Sequence, residues 1–127
     1  MKHLSEVQSL IKEFYPYAKE RFGFKQPVRL FLKNDAQNSE NPLGKTAFYN
    51  PSDMSITIYT ANRHPKDILR SLSHELVHHK QNCDGKFDDV QGSMGEGYAQ
   101  SNPLLREMEG EAYLHGSLCL RDWTDSR

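Results

Sequence analysis

Apolar residues fall at intervals of three or four along the first part of the chain: Leu4, Val7, Ile11, Phe14, Ala18 and Phe22. That spacing predicts an amphipathic helix over 3–22, stopped by Gly23. Pro27 then leads into VRLFLK, where Val28, Leu30 and Leu32 alternate with Arg29, Phe31 and Lys33, the period of a strand. Residues 34–43 are polar and predict a loop. Next, GKTAFYN (44–50) and MSITIYT (54–60) flank the turn signal Asn50-Pro51-Ser52-Asp53, a hairpin pattern.

Pro65 at a first helical position, with Asp67 in the first turn, opens a second helix whose stripe is Ile68, Leu72 and Leu76. It is expected to run to about Asn82, with Gly85 beyond its end. Residues 85–101 hold four glycines and few aliphatics, which predicts a long loop. Asn102-Pro103 starts a third helix, expected to end near Trp123. Helix, strand, hairpin, helix, loop and helix make a small α+β domain, with a small mixed sheet between an N-terminal and a C-terminal helix.

Composition narrows the picture. The chain has 127 residues, 36% hydrophobic and 26% charged, which suits one domain over 1–127 with a modest core. A net charge of -1 gives no basic footprint for nucleic acid, and so argues against a DNA-associated role. No apolar run approaches the roughly 18 residues of a membrane span. MKHLSEVQSLIKEF lacks the continuous apolar core of a secretory signal, so the expected location is cytoplasmic. Cys83 and Cys119 are too few for a disulfide framework and read as reduced, partly buried small side chains. One bridge between the two late helices stays open as an alternative.

The densest chemistry lies in SLSHELVHHKQNCDG, residues 71–85. On a helix, positions i and i+4 lie roughly 40° apart around the axis and one turn apart along it. His74 and His78 can therefore aim two imidazoles at one ion. Glu75 is swung off that ion toward a water upon it, where a carboxylate can act as general base. His79, turned roughly 100° from His78, cannot join the same ion and is expected at the surface or bracing a ligand. With six histidines in the chain, this spacing arises by chance in roughly 2 per cent of such sequences. A metal helix is therefore the better reading, and zinc the first cofactor to expect.

Catalytic zinc usually has three protein ligands and a water. Candidates for the third are Asp84, His115 and the acidic residues Glu107, Glu109 and Glu111. From Glu109, the residues Ala112, Tyr113 and Gly116 share one helical face. Two of them are small enough for a close approach to the HELVH helix. Glu107 and Glu111 fall on a different stripe, with Leu104, Leu114 and Leu118, and read as a solvated edge.

HELVH followed some thirty residues later by Glu109-Gly110-Glu111-Ala112 resembles the gluzincin branch of the zincin metallopeptidases, in outline over residues 44–120. The resemblance implies a minimal zincin-like fold with zinc on His74, His78 and Glu109, and with Glu75 as general base. Several of those families continue E-x-E-A with an aspartate that buttresses a ligand histidine; here Tyr113 stands in that place. Tyr113, Tyr98 and His115 are the candidates for an oxyanion donor. Asp84 sits six residues after His78, where metzincins carry their third ligand. Those families need a glycine midway to turn the chain, and this sequence has Gln81.

The function this implies is zinc-dependent hydrolysis of a peptide or protein substrate. An extended peptide would pair with a strand edge beside the metal, either Met54–Thr60 or Lys45–Tyr49. The glycine-rich stretch 92–97 could flex over the cleft. From another class, the chain could be a non-catalytic binding or regulatory protein stabilised by the metal.

Overall fold

The stripe predicted near the N-terminus is the face that helix α1 (Lys2–Phe22) buries: Val7, Phe14 and Ala18 are fully enclosed and Ile11 nearly so. Gly23 ends the helix in the left-handed region at φ 81°, its N–H donating to the Lys19 carbonyl at 2.9 Å. That conformation is cheap for glycine and costly for other residues. The computed structural model describes residues 2–34, 46–85 and 103–127. Tyr98 and the 92–97 stretch lie outside the described residues.

Three strands follow: β1 (Arg29–Lys33), β2 (Ala47–Asn50) and β3 (Ser55–Tyr59). β2 and β3 form the expected antiparallel hairpin, with Ala47 opposite Ile58 and Asn50 opposite Ser55. Within its turn Asn50 Oδ1 accepts from the Ser52 N–H at 2.9 Å, and Met54 takes φ 54°. β1 pairs with β3 in parallel, so the order is β1-β3-β2 and the sheet is mixed. This corrects one expectation. The Met54–Thr60 run lies in the centre of the sheet, hydrogen-bonded on both sides, and cannot offer an edge to a peptide.

β3 is central because Ile56 and Ile58, both fully buried, are best covered when strands flank them and helices lie on their face. Helix α2 (Pro65–Cys83) supplies that cover through Ile68, Leu72 and Leu76. Complete burial of such a side chain contributes about 1.5–3 kcal/mol. His64 caps the helix, its Nδ1 accepting from the Lys66 N–H, with Pro65 in the first turn as expected. Helix α3 (Pro103–Asp125) closes the core, Trp123 meeting Phe14 edge to face at 5.1 Å. Among the described residues, three helices and a three-stranded mixed sheet make the small α+β fold anticipated. Among the described residues, no helix is long and apolar enough to cross a membrane.

His79 departs from expectation. It is fully buried rather than at the surface, and it does not brace a metal ligand. Its Nε2 donates to the Gln26 carbonyl at 2.7 Å, and its Nδ1 accepts from the Tyr49 hydroxyl at 2.8 Å. Burial holds its pKa below the ordinary imidazole value, which suits a neutral ring with one donor and one acceptor. The ring thereby pins α2 to β2 and to the segment between α1 and β1.

Candidate metal centre

The distance between α2 and α3 decides whether a third ligand can reach the histidines. Gly116 of α3 sits directly on the backbone of α2: a Cβ there would come within 3.1 Å of the His74 Cα and N. The Ser73 hydroxyl donates to the Gly116 carbonyl at 2.7 Å, and Ala112, one turn earlier, is fully buried. The two small residues read from the sequence are thus the ones that bring the helices together.

That approach carries Glu109 to the motif. Its Oε1 lies 2.5 Å from His78 Nε2 and its Oε2 lies 3.6 Å from His74 Nε2. The two imidazole rings are 5.0 Å apart and nearly perpendicular. One donor atom from each of His74, His78 and Glu109 lies within 4.8 Å of the others, a group that could hold a metal ion. Hydrogen bonds from His74 and His78 hold the Glu109 carboxylate far below its usual pKa.

His78 is set in a fixed orientation. Its Nδ1 lies 2.8 Å from Oε1 of Gln81, a buried side chain whose amide nitrogen donates to the Met108 carbonyl and to Glu111, each at 2.9 Å. Two acceptors on the amide nitrogen fix which way Gln81 points, so its oxygen accepts from His78 Nδ1–H. Nε2 is left to face Glu109. Burial pushes the His78 pKa down, but the Glu109 bond and the nearby carboxylates outweigh it, and the net shift is upward. The contact with Glu109 thus favours a proton on His78, and a cation at the centre would compete with that proton.

Glu75 is buried beside this group. Burial raises its pKa, a shift that His78 and His74 partly oppose. It contributes to the floor of a cleft of about 320 Å³ together with His74 and Glu109. Thr46 and Ala47 at the start of β2 form one wall, Arg70 and Ser71 of α2 one end, and Ala112, Tyr113 and Ser117 of α3 the other side. Arg63 holds the first wall against α2. Its guanidinium donates to the carbonyls of Thr46, Tyr59 and Asp67 and to the Ser71 hydroxyl, at 2.6–3.1 Å.

The other candidates lie elsewhere. Asp84 sits at the end of α2 and pairs with Lys80 at 3.0 Å. With Gln81 in place of a glycine, the helix runs straight on and carries Asp84 past the site. Glu111 accepts from Gln81, rather than lying on a solvated edge, while Glu107 and His115 are exposed. Tyr113 lies at the cleft, its ring 4.5 Å from that of His74. Cys83 and Cys119 are both free.

Gln81 and Arg70 were missed from the sequence, although spacing places both near the ligands: Gln81 is three residues after His78, and Arg70 four before His74. No protein-family model matches the chain, and no curated protein or solved structure does either.

Proposed function

We propose that this protein is a zinc-dependent metalloendopeptidase of the gluzincin kind. The observation that carries the reading is the convergence of His74, His78 and Glu109 beside an open cleft that His74, Glu109 and buried Glu75 line. Two imidazoles and one carboxylate suit zinc and leave a coordination position open, the mark of catalytic rather than structural sites. His74, His78 and Glu109 would hold the ion. When bound, zinc supplies Lewis acidity toward a carbonyl and a water that ionises near neutral pH.

The chain's own residues do the rest. Glu75, buried beside His74 and Glu109, would act as the general base: its carboxylate would take a proton from the attacking water and return it to the departing amine. The substrate lies as an extended chain in the cleft between the Thr46–Ala47 wall and α3. Tyr113, whose ring packs on that of His74 at the cleft, would donate to charge developing on the scissile carbonyl oxygen. Free Cys83 and Cys119 fit a reducing compartment such as the cytoplasm.

Glu75→Gln tests this. We expect one zinc per chain by native mass spectrometry in both proteins, and loss of cleavage of unfolded polypeptides by at least about a hundredfold in the variant. A Glu75→Gln protein that cleaves as fast as wild type would overturn the reading. Zinc bound by a wild-type protein that cleaves no unfolded polypeptide would leave the non-catalytic alternative, in which the ion serves to clamp α2 to α3.

A further inference from the structure

Away from the metal ligands, Glu75, Arg70 and Tyr113, the described walls of the cleft are short: hydroxyls of Thr46, Ser71 and Ser117, and methyls of Ala47 and Ala112. None of these makes a deep apolar pocket for a large side chain. Arg70 is different. It is the one cationic side chain among the described residues that line the cleft.

The two arginines near the cleft are not equivalent. Arg63 is committed to four acceptors that hold the fold. Arg70 pairs with Asp67 at 2.8 Å, three residues away on the same helix, and both side chains are 55% exposed. A solvated pair of that kind is weak. A carboxylate entering the cleft can displace Asp67 at little cost and accept two parallel bonds from the guanidinium fork. Arg70 lies one turn before His74, about 6 Å along the axis, and two residues of extended peptide span about 6.6 Å.

We propose that Arg70 selects substrates bearing a carboxylate about two residues from the scissile bond, so that the protein prefers acidic peptides. The carboxylate is either an Asp or Glu side chain or a free C-terminus; both present the same group to the fork. The inference rests on the peptidase reading for the ligand's being a peptide, while the recognition itself requires only the metal centre and Arg70.

Two experiments keep the readings apart. In the first, zinc-loaded protein is titrated with adipic acid monohydroxamate and with its neutral monoamide. Both share the metal-binding end, and only the first carries a carboxylate, about 6 Å away. We expect the acid to bind roughly ten- to a hundredfold tighter, the range of one charge-assisted pair. That preference should vanish in Arg70→Gln and return in part in Arg70→Lys, with zinc content equal in all three. Equal affinities for acid and amide in wild type, or a preference that survives Arg70→Gln, would overturn the proposal, as would failure of the acid to bind.

In the second, cleavage is compared for internal Glu against Gln in amidated peptides, and for free-acid against amidated ends in neutral ones. The acidic member of at least one pair should have the lower KM, and the pair that responds identifies the source of the carboxylate. Equal KM in both pairs would overturn the proposal even with active enzyme. A hydroxamate preference without any cleavage would sustain Arg70's role and remove the peptidase reading.

Discussion

Gln81 gives His78 a neutral brace. An imidazole that binds a metal through Nε2 needs its proton on Nδ1, and an acceptor there fixes both tautomer and ring angle. In this protein the acceptor comes from the motif helix itself, one turn on, and is held in turn by Met108 and Glu111 of α3. A neutral amide orients the ring while donating less electron density than a carboxylate would. Gln81→Leu removes the acceptor and leaves the Met108 carbonyl without that donor. We expect it to weaken zinc binding by about 10- to 100-fold, measured by competition with a chelator of known affinity. Gln81→Glu keeps the acceptor and should recover most of the loss. Wild-type affinity in the Leu variant would show that the brace has no bearing on the metal.

Helix α3 carries two glycines with opposite consequences. Gly116 is buried against α2, and an added Cβ would meet His74 and Ser73 backbone atoms at 3.1–3.2 Å. Backbone cannot swing away as a side chain can, so Gly116→Ala should force the helices apart. We expect a loss of about 1–3 kcal/mol in chemical denaturation, together with weaker zinc binding as Glu109 withdraws. Gly110 lies on the exposed side with nothing within 4 Å of a new Cβ. Gly110→Ala should stabilise the helix by up to about 1 kcal/mol without touching zinc affinity. Identical behaviour of the two variants would contradict the close approach on which the site depends. The elements themselves were legible because their signals are local: the stripe of α1, the hairpin turn, and Pro65 at the start of α2 each act within a few residues. Strand order was not legible. It depends on which strand's apolar face α2 covers, and no local pattern distinguishes β3 from β2 in that respect.

At the scale of the whole molecule, the same division runs through the site. His74, Glu75 and His78 could be read together because one helix fixes their spacing. Glu109 could be reached because Ala112 and Gly116 mark the face that packs. His79 and Gln81 were opaque because their partners, Gln26, Tyr49 and Met108, are distant in sequence and near only in the fold. The assembled centre also sets how metal and pH act on stability. Burial is the largest single influence on the His78 pKa and lowers it, but the bond to Glu109, the charges of Glu75 and Glu109 and the bond to Gln81 together outweigh it, so the net shift is upward from 6.5. A raised folded-state value means that this pair stabilises fully below about pH 6.5 and fades as pH rises through the folded value. Glu109, held far below the usual carboxylate range, stays ionised throughout that window and adds no slope of its own. Zinc has the opposite preference, since it binds neutral imidazoles and competes with their protons. The gain in melting temperature on adding excess zinc should therefore be larger at pH 7.5 than at pH 5.5. At a hundredfold excess over its Kd, zinc contributes about 2.7 kcal/mol, a shift of several degrees for a domain of this size. Thermal denaturation with and without zinc at the two pH values measures the difference. A zinc increment that is the same at both would mean that the ion does not displace the proton between His78 and Glu109, and so does not bind where these three side chains meet.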